Sequence, residues 1–502
     1  MKNYLSKLYS WQLAIISGVL IGISFHQICF GILVYIGFIP LLHSWFRNNP
    51  KNNLFSGYVF GVTYNLISNY WMATNSGAEF IVVLFSLIAA TLYLSIFWAF
   101  AGFIVGFYKN ISSKILIMPF LIVSLEWIRS FGPLGFAWGN LALTQMDMLH
   151  LLQFIDYGGT YIIAFWIVCI NSIIYYHFFL KSFPKQKIVL FCALLLFVNA
   201  AGLIRLNMEL DQNNNTELDI AVIQPNLNPN EKWDRSTREL TLNIMDSLHQ
   251  LAIGLNPDII LFPETALPAY LRLNNSIRKR LQSEVNKSNI PILIGTVDRR
   301  FDDLGKKLYF NSSMYLYPNK DYQMYDKIHL VPFAEYDLMP YILHPLGQLN
   351  LNIDRGIFMG GDNYVKFSYE KVTFSNLICY ESSLPRYARR FIKNGANFLM
   401  VQANDGWLGK SAGPYQHFEL ARLRAIENRV PIVRSGNTGI SGIIMSNGEV
   451  KKKIPLGEQV VFKEKIILGE AGSFYTKYGD VFASLCFVIL LLINPVLLCL
   501  KK

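Results

Sequence analysis

Eight apolar stretches, near residues 11–29, 31–47, 55–73, 80–108, 114–130, 160–180, 187–206 and 480–499, restrict this chain more than any other feature of its sequence. Each is close to the roughly 20 residues that a helix needs to cross the hydrocarbon layer of a bilayer. The segments between them alternate in charge. Lys2 with Lys7, Arg47 with Lys51, Lys109 with Lys114, Lys181 with Lys185 and Lys187, and Lys501 with Lys502 mark every second one as basic. Those in between, residues 73–79 and 131–159, hold no lysine or arginine. Short cytoplasmic loops carry an excess of such residues. This parity predicts that everything from about 207 to 477 lies outside the cytoplasm. The first span reads as an anchor rather than a cleaved signal, because a second span follows it directly.

The expected organisation is a seven-span membrane domain over 1–206, a soluble catalytic domain over 207–478, and a last transmembrane helix over 479–502. A chain with 52% hydrophobic and 16% charged residues is too apolar for an ordinary soluble protein. Its net charge of +11 is dispersed rather than gathered in a stripe, so no nucleic-acid partner is expected.

Between the seventh and eighth spans the periodicity shortens. Strands are predicted at Leu218–Gln224, Ile259–Phe262, Ile292–Val297, Ser312–Leu316, Phe374–Cys379, Phe398–Gln402, Ile432–Ser435 and Gly442–Met445. A helix whose buried face carries Leu240, Ile244, Leu248, Leu251 and Leu255 is predicted between the first two. The alternation is that of an α/β domain, joined to the spans by the asparagine-rich stretch 211–217.

Of six cysteines, Cys29, Cys169, Cys192, Cys486 and Cys499 lie in apolar runs, where a thiol behaves as a small hydrophobe. Cys379 alone lies in the polar part, so no disulfide within the soluble domain is open to it. Three ionisable or nucleophilic groups stand at or near ends of apolar runs: Glu264 after Asp258-Ile-Ile-Leu-Phe-Pro, Lys327 after Tyr325-Asp, and Cys379 after Asn376-Leu-Ile. Strand ends are where α/β folds gather functional groups. A cysteine is nucleophilic as the thiolate. Glu264 is therefore read as its base, Lys327 as the cation that steadies a developing oxyanion, and Glu335 and Glu381 as groups holding the lysine. His329 and His417 are given structural roles, since no serine, histidine, aspartate set and no metal-ligand spacing is evident.

Phe262-Pro-Glu264, Lys327-Ile-His-Leu-Val-Pro-Phe-Ala-Glu335 and Cys379-Tyr-Glu381 resemble the three signature blocks of the nitrilase superfamily. The whole chain is similar to the membrane branch of that superfamily, the apolipoprotein N-acyltransferases. Further matching stretches are Gln224 to Trp233, Asn311 with Ser312, Asn404-Asp-Gly-Trp407, Gln416 to Glu427, Glu126-Trp127 with Arg129, and Phe136-Ala-Trp138.

The resemblance implies an α-β-β-α sandwich beside the multi-span helical domain. Glu264, Lys327 and Cys379 would be catalytic, with Glu335, Glu381, Tyr380, Trp233, Asn311, Trp407 and Trp138 supporting them or binding substrate. It also implies transfer of an acyl chain from a phospholipid, through a Cys379 thioester, to the α-amino group of a diacylglyceryl apolipoprotein. No metal or cofactor is implied, and a monomer is expected, in the inner membrane with its catalytic domain in the periplasm. The apolar run Leu338 to Leu346 is read either as a loop dipping into lipid or as internal packing. A tethered amidase with water as acceptor is the nearest alternative. A transporter is disfavoured by the few charges inside the spans.

Overall fold

Backbone polar groups have no water to bond in hydrocarbon, so apolar runs of spanning length must form helices, and all eight do. In the computed structural model, which describes residues 5–26, 30–180, 185–208, 216–332, 334–336 and 358–499, the helices run Ser10–Ile23, Ile39–Arg47, Pro50–Ser68, Phe80–Gly106, Ile111–Arg129, Tyr161–Tyr175, Lys185–Asn207 and Val481–Cys499. A short turn, Val34–Gly37, precedes the second. Among the described residues, four helices meet both the length and the hydropathy of a span: Phe80–Gly106, Ile111–Arg129, Tyr161–Leu180 and Ile188–Asn207. The chain is a membrane protein.

The chain falls into two units, one of residues 1–73, 83–208 and 478–502, the other of 74–82 and 209–477. In the first, Pro50–Ser68 is too polar to meet the hydropathy of a span because its polar residues pack inward. Asn53, Ser56, Asn65 and Ser68 are buried. Its glycines let neighbouring helices approach closely. A Cβ on Gly61 would stand 2.7 Å from Ser95 Cα, and one on Gly18 would meet Thr63 Cβ at 2.7 Å.

The second unit holds two six-stranded sheets. In chain order its strands are β1 Thr216–Gln224, β2 Ile259–Leu261, β3 Ile292–Phe301, β4 Lys307–Leu316, β5 Gln323–Asp326, β6 Phe367–Tyr369, β7 Val372–Ile378, β8 Phe398–Ala403, β9 Ile432–Gly436, β10 Ser441–Ile444, β11 Val450–Ile454 and β12 Val460–Leu468. One sheet has the order β12-β1-β2-β3-β4-β5 and the other β11-β10-β9-β8-β7-β6. The centre of each is parallel, β1-β2-β3 and β7-β8-β9, and the flanking pairs are antiparallel. Helices α1 (Arg238–Gly254) and α2 (Asn275–Ser288) supply Met245, Leu248, Ile277, Leu281 and Val285 to the core over the first sheet. Helices α3 (Pro385–Lys393) and α4 (Ala412–Asn428) belong to the second. The result is the expected α-β-β-α sandwich.

Two expectations need correction. The inward face of α1 is Thr241, Met245, Leu248 and Ala252, while Leu240, Leu251 and Leu255 are exposed. A stripe shifted by one residue keeps Leu248 inside and turns its apolar neighbours outward. Four strands also escaped the periodicity: β5, β6, β11 and β12, which form all four sheet edges. β11 exposes Lys451, Lys452 and Lys453, and lysine on an edge blocks pairing with another chain while erasing the apolar signal.

Inside the sandwich an amide network joins the sheets. Gln402 Nε2 donates to Phe262 O at 2.7 Å, and Asn376 Nδ2 donates to Ser313 Oγ at 2.7 Å and to Gln402 Oε1 at 2.9 Å. It ends two residues before Glu264 and three before Cys379.

Candidate active site

Three strand ends carry the candidate groups. Lys327 directly follows β5, Cys379 directly follows β7, and Glu264 stands three residues beyond β2. Pairing within the first sheet and the amide network between the sheets fix these ends relative to one another.

Lys327 is fully buried. Its Nζ donates to Glu335 Oε1 at 2.8 Å and Oε2 at 2.7 Å, and lies 4.0 Å from Glu264 Oε1. Asn311 Nδ2 bridges the two carboxylates, donating to Glu264 at 2.8 Å and to Glu335 at 2.9 Å. Burial opposes the lysine's charge, but Glu335 and Glu264 outweigh it and hold the ammonium firmly protonated. Burial pushes the Glu264 carboxyl above its ordinary range, against the pull of Lys327. Burial, reinforced by Glu264, pushes the Cys379 thiol well up as well. The resting site therefore pairs a neutral thiol with a carboxyl of raised basicity beside a permanent cation.

Cys379 has φ +51°, in the left-handed region that costs a non-glycine residue energy. Such strain collects at functional positions. It lets the chain turn at once from β7 into the short helix Cys379–Ser383. Glu381 holds that turn. Its carboxylate accepts from Tyr325 Oη at 2.8 Å, Ile328 N at 2.7 Å, His329 N at 3.1 Å and Ile378 N at 2.8 Å. Glu381 thus ties the backbone just before Cys379 to that just after Lys327, whereas it was expected to hold the lysine itself. Burial raises its pKa to about 7.

A second buried set lies on the other side of the Cys379 backbone. His417 Nε2 is 3.0 Å from Cys379 O and 2.9 Å from Ser382 Oγ, while Nδ1 is 2.6 Å from Asp405 Oδ1. Arg434 Nη2 donates to Asp405 Oδ2 at 2.7 Å. Burial opposes ionisation of Asp405, but Arg434 and His417 prevail and take its pKa down to about 2. Ligand-type atoms of Cys379, Asp405 and His417 all lie within 4.8 Å, a grouping that sequence spacing hides. The guanidinium already on Asp405 opposes a second cation there.

The remaining expected residues divide. Tyr380 is buried and stacks on His329 with ring centres 5.8 Å apart. Trp233 is 41% exposed and faces Tyr270. Trp407 accepts from Ser76 N at 2.7 Å through its carbonyl, within the 74–82 segment's own unit. Trp138 belongs to the helical unit, packed on Trp71 at 4.7 Å between ring centres. Glu126 and Arg129 are buried there too, bonded to Asn140, the Leu141 N–H and Gly139 O. Residues 338–346 lie outside the described residues. Sequence reasoning gave no role to Lys232, Asp405 and Arg434, although the first two lie in stretches that carry the family resemblance and the third in the predicted strand Ile432–Ser435.

A family model described as the N-terminal domain of apolipoprotein N-acyltransferase matches residues 17–173, and one described as carbon-nitrogen hydrolase matches 219–474. The chain is 33% identical to the apolipoprotein N-acyltransferase of Geobacter metallireducens over 95% of its own length and 93% of that protein's. To that of Chlorobaculum tepidum it is 29% identical, over 97% and 96%. Among solved structures, a carbon-nitrogen hydrolase from Helicobacter pylori G27 aligns with 50% of this chain and 89% of its own, at 16% identity and a TM-score of 0.39.

Proposed function

The chain belongs to the apolipoprotein N-acyltransferase family, an acyltransferase family, and we propose that it N-acylates lipoproteins by a two-step exchange at Cys379. The observation that carries this reading is the buried meeting of Glu264, Lys327 and Glu335 through Asn311, beside the strained Cys379, in a membrane protein.

In the first step Cys379 Sγ attacks the ester carbonyl of a phospholipid as Glu264 takes its proton. The raised pKa values of both groups favour transfer concerted with attack over a standing thiolate. Lys327 and the backbone N–H groups that follow Cys379 steady the oxyanion. Its collapse breaks the ester C–O bond, and the departing lysophospholipid oxygen takes the proton back from Glu264. A thioester on Cys379 remains.

In the second step the α-amine of an S-diacylglyceryl cysteine attacks the thioester carbonyl. Its proton passes through Glu264 to the departing sulfur, leaving an amide and a free thiol. Covalent catalysis lets two bulky lipids use one site in turn. Burial of Glu264 and Lys327 around the partly exposed Cys379 supports exclusion of the water that would hydrolyse the thioester. In this reading the α/β unit faces the periplasm from the inner membrane, as the basic loops imply, and the enzyme acts as a monomer. Trp233, Tyr380 and Trp407 contact the lipids.

The test is intact-mass analysis of purified enzyme mixed with phospholipid, followed by a diacylglyceryl-cysteine peptide. One acyl mass should appear, be absent in Cys379→Ala, and pass to the peptide amine. Release of free fatty acid with no amide would replace this reading with the hydrolase.

A further inference from the structure

Lys232 lies between Glu231 and Trp233, outside the three catalytic blocks, and is only 3% exposed. Lysine is almost never buried so fully unless its charge is answered. Here the ammonium donates to both oxygens of one residue, Thr265 O at 2.6 Å and Thr265 Oγ1 at 2.9 Å.

Thr265 directly follows Glu264 and has φ +43°. For a β-branched residue this is a genuine outlier, held only where the surroundings over-determine it. Opposite, Gly295 leaves no spare room, since a Cβ there would stand 2.7 Å from Glu264 Cα and 2.6 Å from Thr265 N. The Glu264 turn is thus gripped from one side by backbone and from the other by a buried cation.

We propose that Lys232 is a positioning residue for Glu264, pinning the strained Thr265 peptide and setting a second cation beside the carboxylate that Lys327 approaches at 4.0 Å. The charged and titratable groups facing Glu264 are Lys327, Glu335 and Lys232, with Cys379 as its proton donor and Asn311 as its hydrogen-bond donor. Burial raises Glu264, Glu335 adds to the rise, and Lys327 and Lys232 pull it back. Burial lowers Lys232 itself to about 8, which leaves it mostly charged at neutral pH. Glu264 accepts a proton only as the carboxylate. Loss of either cation therefore moves the acidic limb of Cys379 acylation to higher pH.

This inference rests on Glu264 acting as the base, and acylation of Cys379 in Glu264→Gln tests that premise separately. The full-length enzyme in detergent, with labelled phospholipid, is assayed by intact mass across pH as wild type, K232M, K232Q and K232R, with Tm recorded for each. K232M is expected to slow acylation at neutral pH by about 10- to 100-fold. Its acidic limb should move up by about one pH unit. K232Q, which keeps a donor without the charge, should show the same movement of the limb, and K232R should return it toward wild type. A wild-type profile in folded K232M or K232Q overturns the proposal, as does a slowing that is equal at every pH and unrelieved in K232R. If K232M does not fold, K232Q decides. If Glu264→Gln acylates as fast as the wild type, the failure belongs to the reading of Glu264 as base.

Discussion

The helical unit and the α/β unit both bury charged side chains, but they answer them differently. In the helical unit three of them rest on neutral groups: Lys114 Nζ donates to Trp45 O and Phe46 O at 3.1 Å, Arg129 donates to Gly139 O at 2.8 Å, and Glu126 accepts from Leu141 N and Asn140, while the buried Asp156 pairs with the partly exposed Arg205. In the α/β unit Lys232 and Glu381 likewise rest on neutral groups, but three buried pairs join opposite charges: Arg434 on Asp405 at 2.7 Å, Arg424 on Glu427 at 2.9 Å, Lys327 on Glu335 at 2.7 Å. A buried charge resting on carbonyls can be removed at the cost of a few hydrogen bonds. Removing one partner of a buried ion pair strands the other charge. Among the described residues the α/β unit holds more such buried pairs, and two of them, Lys327 with Glu335 and Arg434 with Asp405, lie next to groups that contact or act on Cys379.

The sharpest break in this contrast is chemical. Glu264→Gln keeps the shape but cannot take a proton, and Cys379 acylation read by intact mass should fall about 10²- to 10⁴-fold. Loss below tenfold would remove Glu264 from the role of base.

Arg434→Met should follow, destabilising the α/β unit by about 3–5 kcal/mol in chemical denaturation, because Asp405 is left buried and unpaired. The linkage has a definite sign. Asp405 has a folded pKa of about 2 and an unfolded one near ~3.9, so the pair's stability is complete above the unfolded value and lost as pH falls through about 2. In Arg434→Met the folded pKa rises toward the unfolded one, so this acid-dependent contribution shrinks and the stability gap between wild type and variant narrows as pH falls through about 2.

Lys114→Met in the helical unit should cost less, about 1–3 kcal/mol, since it strands two carbonyls and no charge. A cost equal to that of Arg434→Met would erase the distinction between the units.

The smallest effect is the most diagnostic. Cys379→Gly should be more stable than Cys379→Ala by about 1 kcal/mol, because only glycine adopts φ +51° freely, while both are inert. Equal melting temperatures would show that the nucleophile's backbone stores no strain.

The two units were also unequally legible. Hydropathy pointed to a helix in each of the eight apolar runs, including Pro50–Ser68, although its buried amides and glycines lower its apolar content. In the α/β unit the eight central strands were legible because both of their faces are buried, as in β8 and β9, where every residue is. The edges were not, since β12 must carry Lys463 and Lys465 toward solvent. The candidate triad could be read because its blocks stand at strand ends. Lys232 could not, because its partner Thr265 is 33 positions away and no local pattern joins them.

The order of residues by itself determined the apolar helices, the α/β alternation and the blocks around Glu264, Lys327 and Cys379, because hydropathy and strand period act over a few neighbouring residues. Only the tertiary structure decided which charges answer one another: Asn311 between two carboxylates, Glu381 on backbone amides rather than the lysine, Arg434 on Asp405 beside His417, and Lys232 under Thr265. Such pairs form where sheet pairing brings distant strand ends together, and the cost of burying an unanswered charge, which selects them, exists only once the water is gone.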